Sequence, residues 1–163
     1  MIRKLIVSMV LLVFTLAAQA QFEEGKWLIT PSTTGLGFSY SGHEKTKVAF
    51  QMEAGSFLAD NVALLINAGV DYTDNSTDLT TVGAGGRYYI ASNGIYLGAN
   101  LKYYRYDFAA GGRDNDASLG AEVGYAFFLN GKVTVEPAIY YNQSLTDHDY
   151  NKVGLKIGFG FYF

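Results

Sequence analysis

The two histidines of this sequence, His43 and His148, are the side chains best suited to acid–base catalysis near neutral pH. Ser144 lies four residues before His148, a spacing at which a nucleophile and a general base could meet. Both histidines, however, stand in short polar stretches typical of solvated loops, and the spacing supports no complete catalytic geometry. The chain has no cysteine and therefore no thiol nucleophile. We expect no enzymatic activity.

Acidic residues form two short runs that could ligate a metal ion, Asp114-Asn115-Asp116 and Asp147-His148-Asp149. Oxygen-rich loops bind calcium, but neither run matches a defined pattern such as the EF-hand loop. The absence of cysteine also excludes a thiolate metal site. We therefore expect no metal centre and no cofactor.

A further group of ionisable residues is balanced in charge, with three carboxylates and three cations. Its members are Glu53, Glu122, Glu136, Arg87, Lys102 and Lys156. Buried charges are tolerated only when they are paired and hydrogen-bonded, so a neutral set is what a closed interior requires. Whether these six residues share an interior depends on the elements that carry them.

The first twenty residues form a separate segment. Arg3 and Lys4 precede an apolar run that ends in Ala18-Gln19-Ala20. A basic start, a short apolar middle and a small-x-small end predict a secretory signal peptide, and the run is shorter than the ~20 residues of a membrane-spanning helix. We expect cleavage after Ala20, so that residues 1–20 are the signal peptide and 21–163 form one domain.

The rest of the chain alternates between apolar and polar residues with a period of two, the pattern of strands with unlike faces. In the last segment the odd-numbered residues from Val153 to Phe163 are apolar, whereas Gly and Lys occupy most of the even positions. Eight such segments lie near residues 27–40, 46–58, 62–73, 79–90, 95–108, 118–129, 132–142 and 152–163.

Short and long connections alternate between these segments. The short ones, tight hairpin turns, are 59–61, 91–94 and the Asn-Gly turn 130–131. The longer ones, rich in Asp, Asn and Gly, lie near 41–45, 74–78, 109–116 and 146–151. Short turns at one end and longer loops at the other are typical of an outer-membrane barrel. An even number of strands places both termini at the short-turn end, which is the periplasmic end.

Alternation alone does not show which face is outward, because a soluble lipocalin-like barrel has the same period with its apolar face inside. The small residues and balanced charges of the polar face favour a narrow lumen, and aromatic residues at both strand ends predict two girdles. The girdle near the long loops comprises Tyr40, Tyr72, Tyr103 and Tyr141. The girdle near the short turns comprises Trp27, Phe57, Tyr88, Phe127 and Phe161. The sequence therefore predicts an all-β fold, an eight-stranded antiparallel up-and-down transmembrane β-barrel.

Such a barrel has an interior about wide enough to be filled by side chains. The six charged residues either replace a hydrophobic core or gate a narrow path for water or protons, and the first interpretation is favoured. Pro31 and Pro137 each remove a hydrogen-bond donor from the sheet. We expect the first strand to begin after Pro31 and a bulge at Pro137.

The aspartates are concentrated at the long-loop end. Eight of the nine lie there, namely Asp71, Asp74, Asp78, Asp107, Asp114, Asp116, Asp147 and Asp149. One hypothesis is that this acidic rim holds divalent cations that also bridge lipopolysaccharide phosphates. The alternative, that the aspartates form solvated turns, is favoured.

The C-terminal segment GLKIGFGFYF is similar to the insertion signal that the barrel-assembly machinery reads in outer-membrane proteins. The residues that carry this similarity are Gly158, Phe159, Phe161, Tyr162 and Phe163. Together with the leader, the eight segments and the loop asymmetry, it resembles the small OmpA/OmpX-like β-barrel family, particularly its Bacteroidetes forms. The resemblance implies a lumen filled by side chains. Enzymatic barrels of the deacylase type carry a His-x-Ser pair, which neither His43 nor His148 matches.

Two classes of function stay open. The first is a structural, envelope or interaction barrel without an open pore, and the second is an OmpW-like barrel that binds or transports a small apolar ligand. The net charge of −3 argues against a nucleic-acid partner. The expected partners are outer-membrane lipid, lipopolysaccharide and the assembly machinery, and we expect a monomer located in the Gram-negative outer membrane.

Overall fold

The structure, a computed structural model, describes residues 22–34, 48–72, 77–90, 93–108, 112–146 and 151–163. Its strands are β1 (Trp27–Thr34), β2 (Val48–Ala59), β3 (Val62–Tyr72), β4 (Thr77–Tyr89), β5 (Ile95–Phe108), β6 (Arg113–Tyr125), β7 (Phe127–Phe128), β8 (Val133–Ser144) and β9 (Lys152–Tyr162). No helix in these segments is long and apolar enough to cross a membrane. The signal-peptide prediction and most of the long loops lie outside the described residues.

The strands form one closed antiparallel barrel. Neighbours in sequence pair with each other from β1 to β6, β1 also pairs with β9, and β8 lies between β9 and β6. The segments β6 and β7 keep the same register against β8, with Gly124 opposite Ala138 and Phe127 opposite Val135, so together they form one interrupted barrel strand. The barrel therefore has eight strands, as the sequence predicted.

The alternation of residues divides each strand between an exposed apolar face and a buried interior face. In β9 the odd-numbered residues from Val153 to Phe161 are 37–50% exposed, whereas the even-numbered residues from Gly154 to Tyr162 are buried. The same division holds in β8, where Ile139 and Tyr141 are exposed and Glu136 and Asn142 are buried. A period of two thus aims large apolar side chains outward and small or charged ones inward.

Both expectations about the prolines were wrong in detail. Strand β1 begins at Trp27 and runs through Pro31, which pairs with Met52 of β2, whereas the pairing of β1 with β9 is interrupted at Thr30 and Pro31. Strand β8 continues through Pro137 opposite Ile157 without a register shift. Each proline therefore interrupts the hydrogen bonds to one neighbouring strand, and it neither causes a bulge in its own strand nor delays where that strand begins.

The break between β6 and β7 shows where the hydrogen-bond ladder beside Pro137 is interrupted. Tyr125 stands opposite Pro137 in the shared register, and the strand is interrupted one residue later, at Ala126. The Ala126 N–H donates to the carbonyl of Gly94, at 2.8 Å, on the other side of the strand. The interruption consequently separates β6 from β7 while the barrel stays in register.

The long connection predicted at 109–116 is shorter than expected, because β6 already begins at Arg113. Asp114, Asn115 and Asp116 belong to this strand, and Asp116 is buried in the interior, where it accepts a hydrogen bond from the Ser144 hydroxyl at 2.7 Å. Sequence reasoning assigned these residues to a loop because Asp and Asn are common in turns. Pairing with the regular strand β5 overrides that local preference.

Candidate functional site: the interior of the barrel

Arg87 is the centre of an ion-pair network inside the barrel. Its Nε lies 3.0 Å from Glu122 Oε1, its Nη1 lies 2.8 Å from Glu136 Oε2, and its Nη2 contacts Glu53 Oε2. The four residues come from β4, β6, β8 and β2, so the network joins both sides of the lumen. A guanidinium has five N–H donors in a plane, and this geometry allows Arg87 to bind three carboxylates at once.

Lys156 from β9 completes the network. Its Nζ lies 2.9 Å from Glu53 Oε1 and 2.5 Å from Glu122 Oε2. All five side chains of this ion-pair network, those of Arg87, Lys156 and the three glutamates, are at most 4% exposed. The structure therefore brings five of the six charged residues singled out from the sequence into direct contact.

Lys102, the sixth residue, is buried but belongs to none of these ion pairs. It lies on β5 three inward positions beyond Tyr96, towards the end of the barrel where β5 and β6 are connected. Charge counting predicted that Lys102 shares the interior with the glutamates, but counting alone does not specify its height along the strand.

Below the ion-pair network, the short-turn end of the lumen is filled by an aromatic plug. Its residues are Phe22, Phe57, Tyr89, Tyr96, Phe128 and Tyr162, each at most 5% exposed. The ring of Phe22 stacks on Tyr89 at a centroid distance of 4.0 Å and meets Phe128 edge-on at 5.6 Å. The Arg87 guanidinium lies 4.4 Å from the centroid of the Tyr96 ring, so the plug and the network are in direct contact.

Tyrosine hydroxyls join the aromatic plug to the glutamates by hydrogen bonds. The Tyr162 hydroxyl donates to Glu136 Oε1 at 2.8 Å and lies 3.2 Å from the Tyr89 hydroxyl. Thr134 also donates to Glu136 Oε1, at 2.7 Å. Glu136 thus has a partner for both oxygens, the condition under which a buried carboxylate is tolerated.

The segment before β1 supplies the residue that closes the plug. The carbonyl of Phe22 accepts a hydrogen bond from the Asn61 N–H at 2.7 Å, and the Gly25 N–H donates to the Phe57 carbonyl at 2.9 Å. The Glu24 N–H donates to the Asp60 side chain at 3.0 Å. These bonds tie residues 22–25 across the end of the barrel, with the side chain of Phe22 inside.

Sequence reasoning missed Phe22 and placed Phe57 wrongly in an outward girdle. Phe57 is buried because it has the same parity as Glu53, four residues earlier on β2, and both must point inward. The other described girdle residues are exposed as predicted, namely Trp27, Tyr88, Phe127 and Phe161 at one end and Tyr103 and Tyr141 at the other. The alternation within β2, which gives Phe57 the same inward direction as Glu53, was the signal that could have corrected this prediction.

Farther towards the opposite end, the interior is polar, with amide and hydroxyl side chains beside the charged residues Lys102 and Asp116. Asn67, Thr81, Asn100 and Asn142 point inward, and a side-chain oxygen of each is buried without a hydrogen-bond partner among the described residues. Beyond this amide layer lie Leu79, Tyr104 and Tyr106, with Lys152 Nζ 5.4 Å from the Tyr104 ring centroid. The amide layer is therefore bounded by charge on one side and by aromatic rings on the other.

Glycines provide the room for the network. A Cβ at Gly98 would lie 2.5 Å from Cγ of Glu122, and one at Gly124 would overlap the Tyr96 ring. An interior cavity of about 10 Å³ remains where Glu53, Arg87 and Glu122 approach Asn67 and Asn100. That volume is about the size of one water molecule. In the described part of the barrel, the lumen at this level is filled by side chains.

A larger concavity, of about 510 Å³, lies on the outside of the wall around Pro137. Its lining is apolar and includes Val123, Tyr125, Ile139 and Ile157. The interrupted strand at Ala126 borders this region. Its large apolar side chains belong to the outward face of β6, β8 and β9, and Lys156 of the ion-pair network also contributes to its lining.

The structure describes only part of the residues weighed in the sequence for catalysis and metal binding. The Ser144 hydroxyl is engaged with Asp116, and His43 and His148 lie outside the described residues. Of the acidic rim, Asp107 is bound by two arginines and Asp116 points inward, while Asp74, Asp147 and Asp149 lie outside the described residues. Within the described segments, no cluster of three acidic or histidine side chains is placed to hold a metal ion.

The C-terminal residues lie in or directly after β9, the strand that closes the barrel by pairing with β1. Phe159, Phe161 and Phe163 are exposed on the outer face, whereas Tyr162 points into the aromatic plug. The main chain of Phe163 exchanges two hydrogen bonds with Trp27, at 3.0 and 3.1 Å, across the seam between β9 and β1. Gly158 lies in the same seam, where a Cβ would meet the Thr30 methyl group at 2.8 Å.

The fold has close structural counterparts among solved barrels. The N-terminal β-barrel domain of OprF from Pseudomonas aeruginosa matches with a TM-score of 0.63 and 16% identity, over 86% of this chain and 98% of that one. Neisserial surface protein A matches with a TM-score of 0.66 and 16% identity, over 85% and 97%. The outer membrane protein OprG from P. aeruginosa matches with a TM-score of 0.57 and 13% identity, over 88% and 98%.

These similarities establish the fold of small outer-membrane barrels over nearly the whole chain. Their sequence identity is too low to assign the role of any of these proteins to this chain. No protein-family model matches the sequence. No curated protein matches it either.

Proposed function

We propose that this protein is a monomeric, integral barrel of the Gram-negative outer membrane, of the OmpA/OmpX-like kind, with a structural or interaction role and neither an open pore nor catalytic activity. The observation that carries the proposal is the lumen, in which the ion-pair network stands directly on the aromatic plug. A leader over residues 1–20 would direct the chain to the envelope, and Phe159, Phe161 and Phe163 would be read by the assembly machinery.

The exterior supports a location in the membrane. Large apolar side chains are exposed all around the wall, among them Ile66, Leu101, Leu119, Ile139 and Leu155, each at least 50% exposed. The 11 residues of β9 rise about 3.3 Å each, and a tilt of about 40° gives a height close to the apolar band of about 25 Å seen in membrane barrels. In water this surface would be an aggregation site, whereas lipid chains satisfy it.

Conductance measurements test the closed lumen. The protein inserted into planar lipid bilayers is expected to give no current above that of a protein-free bilayer. The double variant Phe22→Ala/Arg87→Gly removes one side chain from each obstructing layer and is expected to raise the leak, which shows that the assay detects a path through this lumen. Heat-modifiable gel mobility verifies that both proteins are folded. Stable current steps from the unaltered protein would contradict the proposal.

The proposed orientation, with both termini in the periplasm, is tested by cysteine labelling, since the chain has no cysteine of its own. Thr146 lies exposed just beyond β8 at the long-connection end, and Lys132 lies exposed in the Asn130–Lys132 turn at the other end. A membrane-impermeant maleimide added to intact cells is expected to label Thr146→Cys and not Lys132→Cys. The reverse pattern would invert the orientation.

The concavity around Pro137 favours the alternative, an OmpW-like barrel that binds or transports a small apolar ligand. That alternative requires saturable binding of an apolar dye such as N-phenylnaphthylamine to the detergent-solubilised protein. It also requires that Val123→Phe, which fills the concavity, abolishes the binding. The structural role predicts only non-saturable partitioning of the dye, equal for both proteins, because the concavity faces lipid.

A further inference from the structure

On the outer wall, the charged side chains that the structure describes gather in one place. Among the strand residues whose side chains are described, only Arg105, Asp107 and Arg113 are charged and on the outward face. The other charged strand residues whose side chains are described lie at inward positions, those of the ion-pair network among them. Elsewhere the outward side chains that the structure describes are apolar or neutral, so this cluster is not part of a generally solvated surface.

The three residues form a cluster across β5 and β6. Asp107 is directly opposite Arg113 in the register, and Arg105 is opposite Asn115. The carboxylate of Asp107 binds both arginines, with its Oδ1 3.0 Å from Arg113 Nε and its Oδ2 3.4 Å from Arg105 Nε. The side chains of Arg105, Arg113 and Asp107 are 45%, 71% and 43% exposed.

The height of the cluster places it at the edge of the apolar band. The large outward residues of β5 below it include Leu97, Leu101 and Tyr103, each about half exposed. Arg105 is the next outward position, about 7 Å farther along the strand, or roughly 5 Å higher when the strand is tilted by about 40°. Aromatic girdles mark the level of lipid headgroups, so the arginines lie among headgroups rather than acyl chains or bulk water.

Asp107 contacts both arginines through Nε, on the side of each guanidinium that also carries one N–H of a terminal nitrogen. The remaining N–H donors at the end of each guanidinium take no part in these two contacts. Asp78 lies opposite Asp107 on β4, where its backbone position adds a second acidic residue at this level. The arginines therefore offer a directional donor site rather than a diffuse positive field. Phosphate accepts such paired N–H donors in a bidentate manner.

We propose that Arg105 and Arg113 bind the phosphate group of a phosphorylated glycolipid in the outer leaflet of the membrane. The lipid's acyl chains would lie along Tyr103 and Leu119, both about half exposed below the cluster. This inference rests on the proposed membrane location and orientation. Unlike the acidic-rim hypothesis, this contact with the lipid phosphate needs no bridging cation.

Native mass spectrometry of the folded protein in detergent tests the proposal with defined lipids. The probes are bisphosphorylated lipid A, the same glycolipid without phosphates, and inorganic phosphate as a competitor. The protein is expected to bind the phosphorylated lipid at least about tenfold more tightly than the dephosphorylated one, the factor that one charge-assisted hydrogen bond commonly supplies. Inorganic phosphate at the same concentration is expected not to displace it, because it lacks the acyl chains.

Matched variants test whether the two arginines cause the preference for the phosphorylated lipid. Arg105→Gln/Arg113→Gln is expected to bind both lipids equally, whereas Lys26→Gln/Lys132→Gln, which removes the same charge at the opposite end, is expected to keep the preference. Arg105→Lys/Arg113→Lys is expected to recover only part of it, because lysine lacks the planar pair of donors. Gel mobility verifies folding of each variant.

Equal binding of the two lipids by the unaltered protein, or a preference that survives in Arg105→Gln/Arg113→Gln, would overturn the proposal. Displacement by inorganic phosphate would instead indicate a site for the free anion and would also overturn it. Because binding is measured on purified protein, these outcomes are independent of the conductance and labelling results.

Discussion

The two halves of the lumen differ in how their polar groups are satisfied. Near the short turns, Arg87 and Lys156 are ion-paired with three glutamates, and tyrosine hydroxyls bind Glu136. In the amide layer, Asn67, Thr81, Asn100 and Asn142 each keep a buried oxygen without a partner among the described residues. Lys102 lies on this side and belongs to none of the ion pairs between described residues. The charged groups of the network are joined by direct bonds, whereas these four oxygens of the amide layer are not.

This difference indicates which half holds the barrel together and which admits water. Buried polar groups that the protein leaves unpaired are normally satisfied by ordered water, and the small cavity between the two halves is of that size. Water that enters from the long-connection end would therefore reach the amide layer and stop at the ion-pair network. In the closed lumen proposed above, the aromatic plug beneath, with Phe22 stacked on Tyr89 at 4.0 Å, would provide the seal.

Removal of the central cation should have the largest effect on stability. Arg87→Ala leaves three buried carboxylates with Lys156 as their one remaining ion-pair partner among the described residues, and we expect a loss of about 3–5 kcal/mol in the free energy of unfolding. Lys102→Met, which removes a buried charge without breaking an ion pair, should cost much less. Urea unfolding in detergent, followed by heat-modifiable mobility, measures both. Equal losses would mean that the two halves do not differ.

Phe22→Ala tests the plug and should have the next largest effect. The side chain is fully buried against Tyr89 and Phe128, and its truncation leaves a cavity worth about 2–4 kcal/mol, reduced if the terminal segment moves away. Glu23→Gln, an exposed neighbour, is the control and should be close to neutral. The same unfolding experiment applies. A neutral Phe22→Ala would show that the N-terminal segment is not part of the seal.

A larger side chain in the half of the lumen that contains the ion-pair network should lower the free energy of unfolding by about 1–3 kcal/mol. Gly98→Ala places a methyl group 2.5 Å from the Cγ atom of Glu122 and would force the carboxylate away from Arg87. Gly86→Ala is the matched control, because its Cβ points outward and the nearest atom is the Ala63 carbonyl oxygen at 3.3 Å. We expect the control to be nearly neutral. If Gly98→Ala were equally neutral, the network would be looser than its distances indicate.

The fold could be predicted from the sequence because one physical rule governs it. Alternation with a period of two fixes which face of a strand is inward, and a barrel that exposes Ile66 and Leu155 must then bury Glu53 and Lys156. The same rule placed the six interior charges. The error at Phe57 came from giving the position of an aromatic residue near a strand end more weight than its parity.

What could not be predicted depends on pairing between distant residues. The height of Lys102 relative to Glu53 follows from the stagger of the strands, which composition does not encode. The entry of Phe22 into the lumen depends on hydrogen bonds to Asn61 and Phe57, which belong to a different hairpin. The gap opposite Pro137 likewise depends on which neighbour its missing donor would have faced.

The smallest effect is expected in the amide layer. Asn142→Ala removes an amide whose oxygen has no partner among the described residues, so water can occupy the space and the loss should stay below about 1 kcal/mol. Glu136→Ala, three inward positions lower on the same strand, breaks contacts with Arg87, Thr134 and Tyr162 and should cost several times more. Both changes truncate a buried polar residue of β8. The ratio of the two losses in the free energy of unfolding therefore shows how much direct pairing contributes to stability. Losses of similar size would mean that Asn142 is held as firmly as the carboxylate, and the amide layer would then be dry.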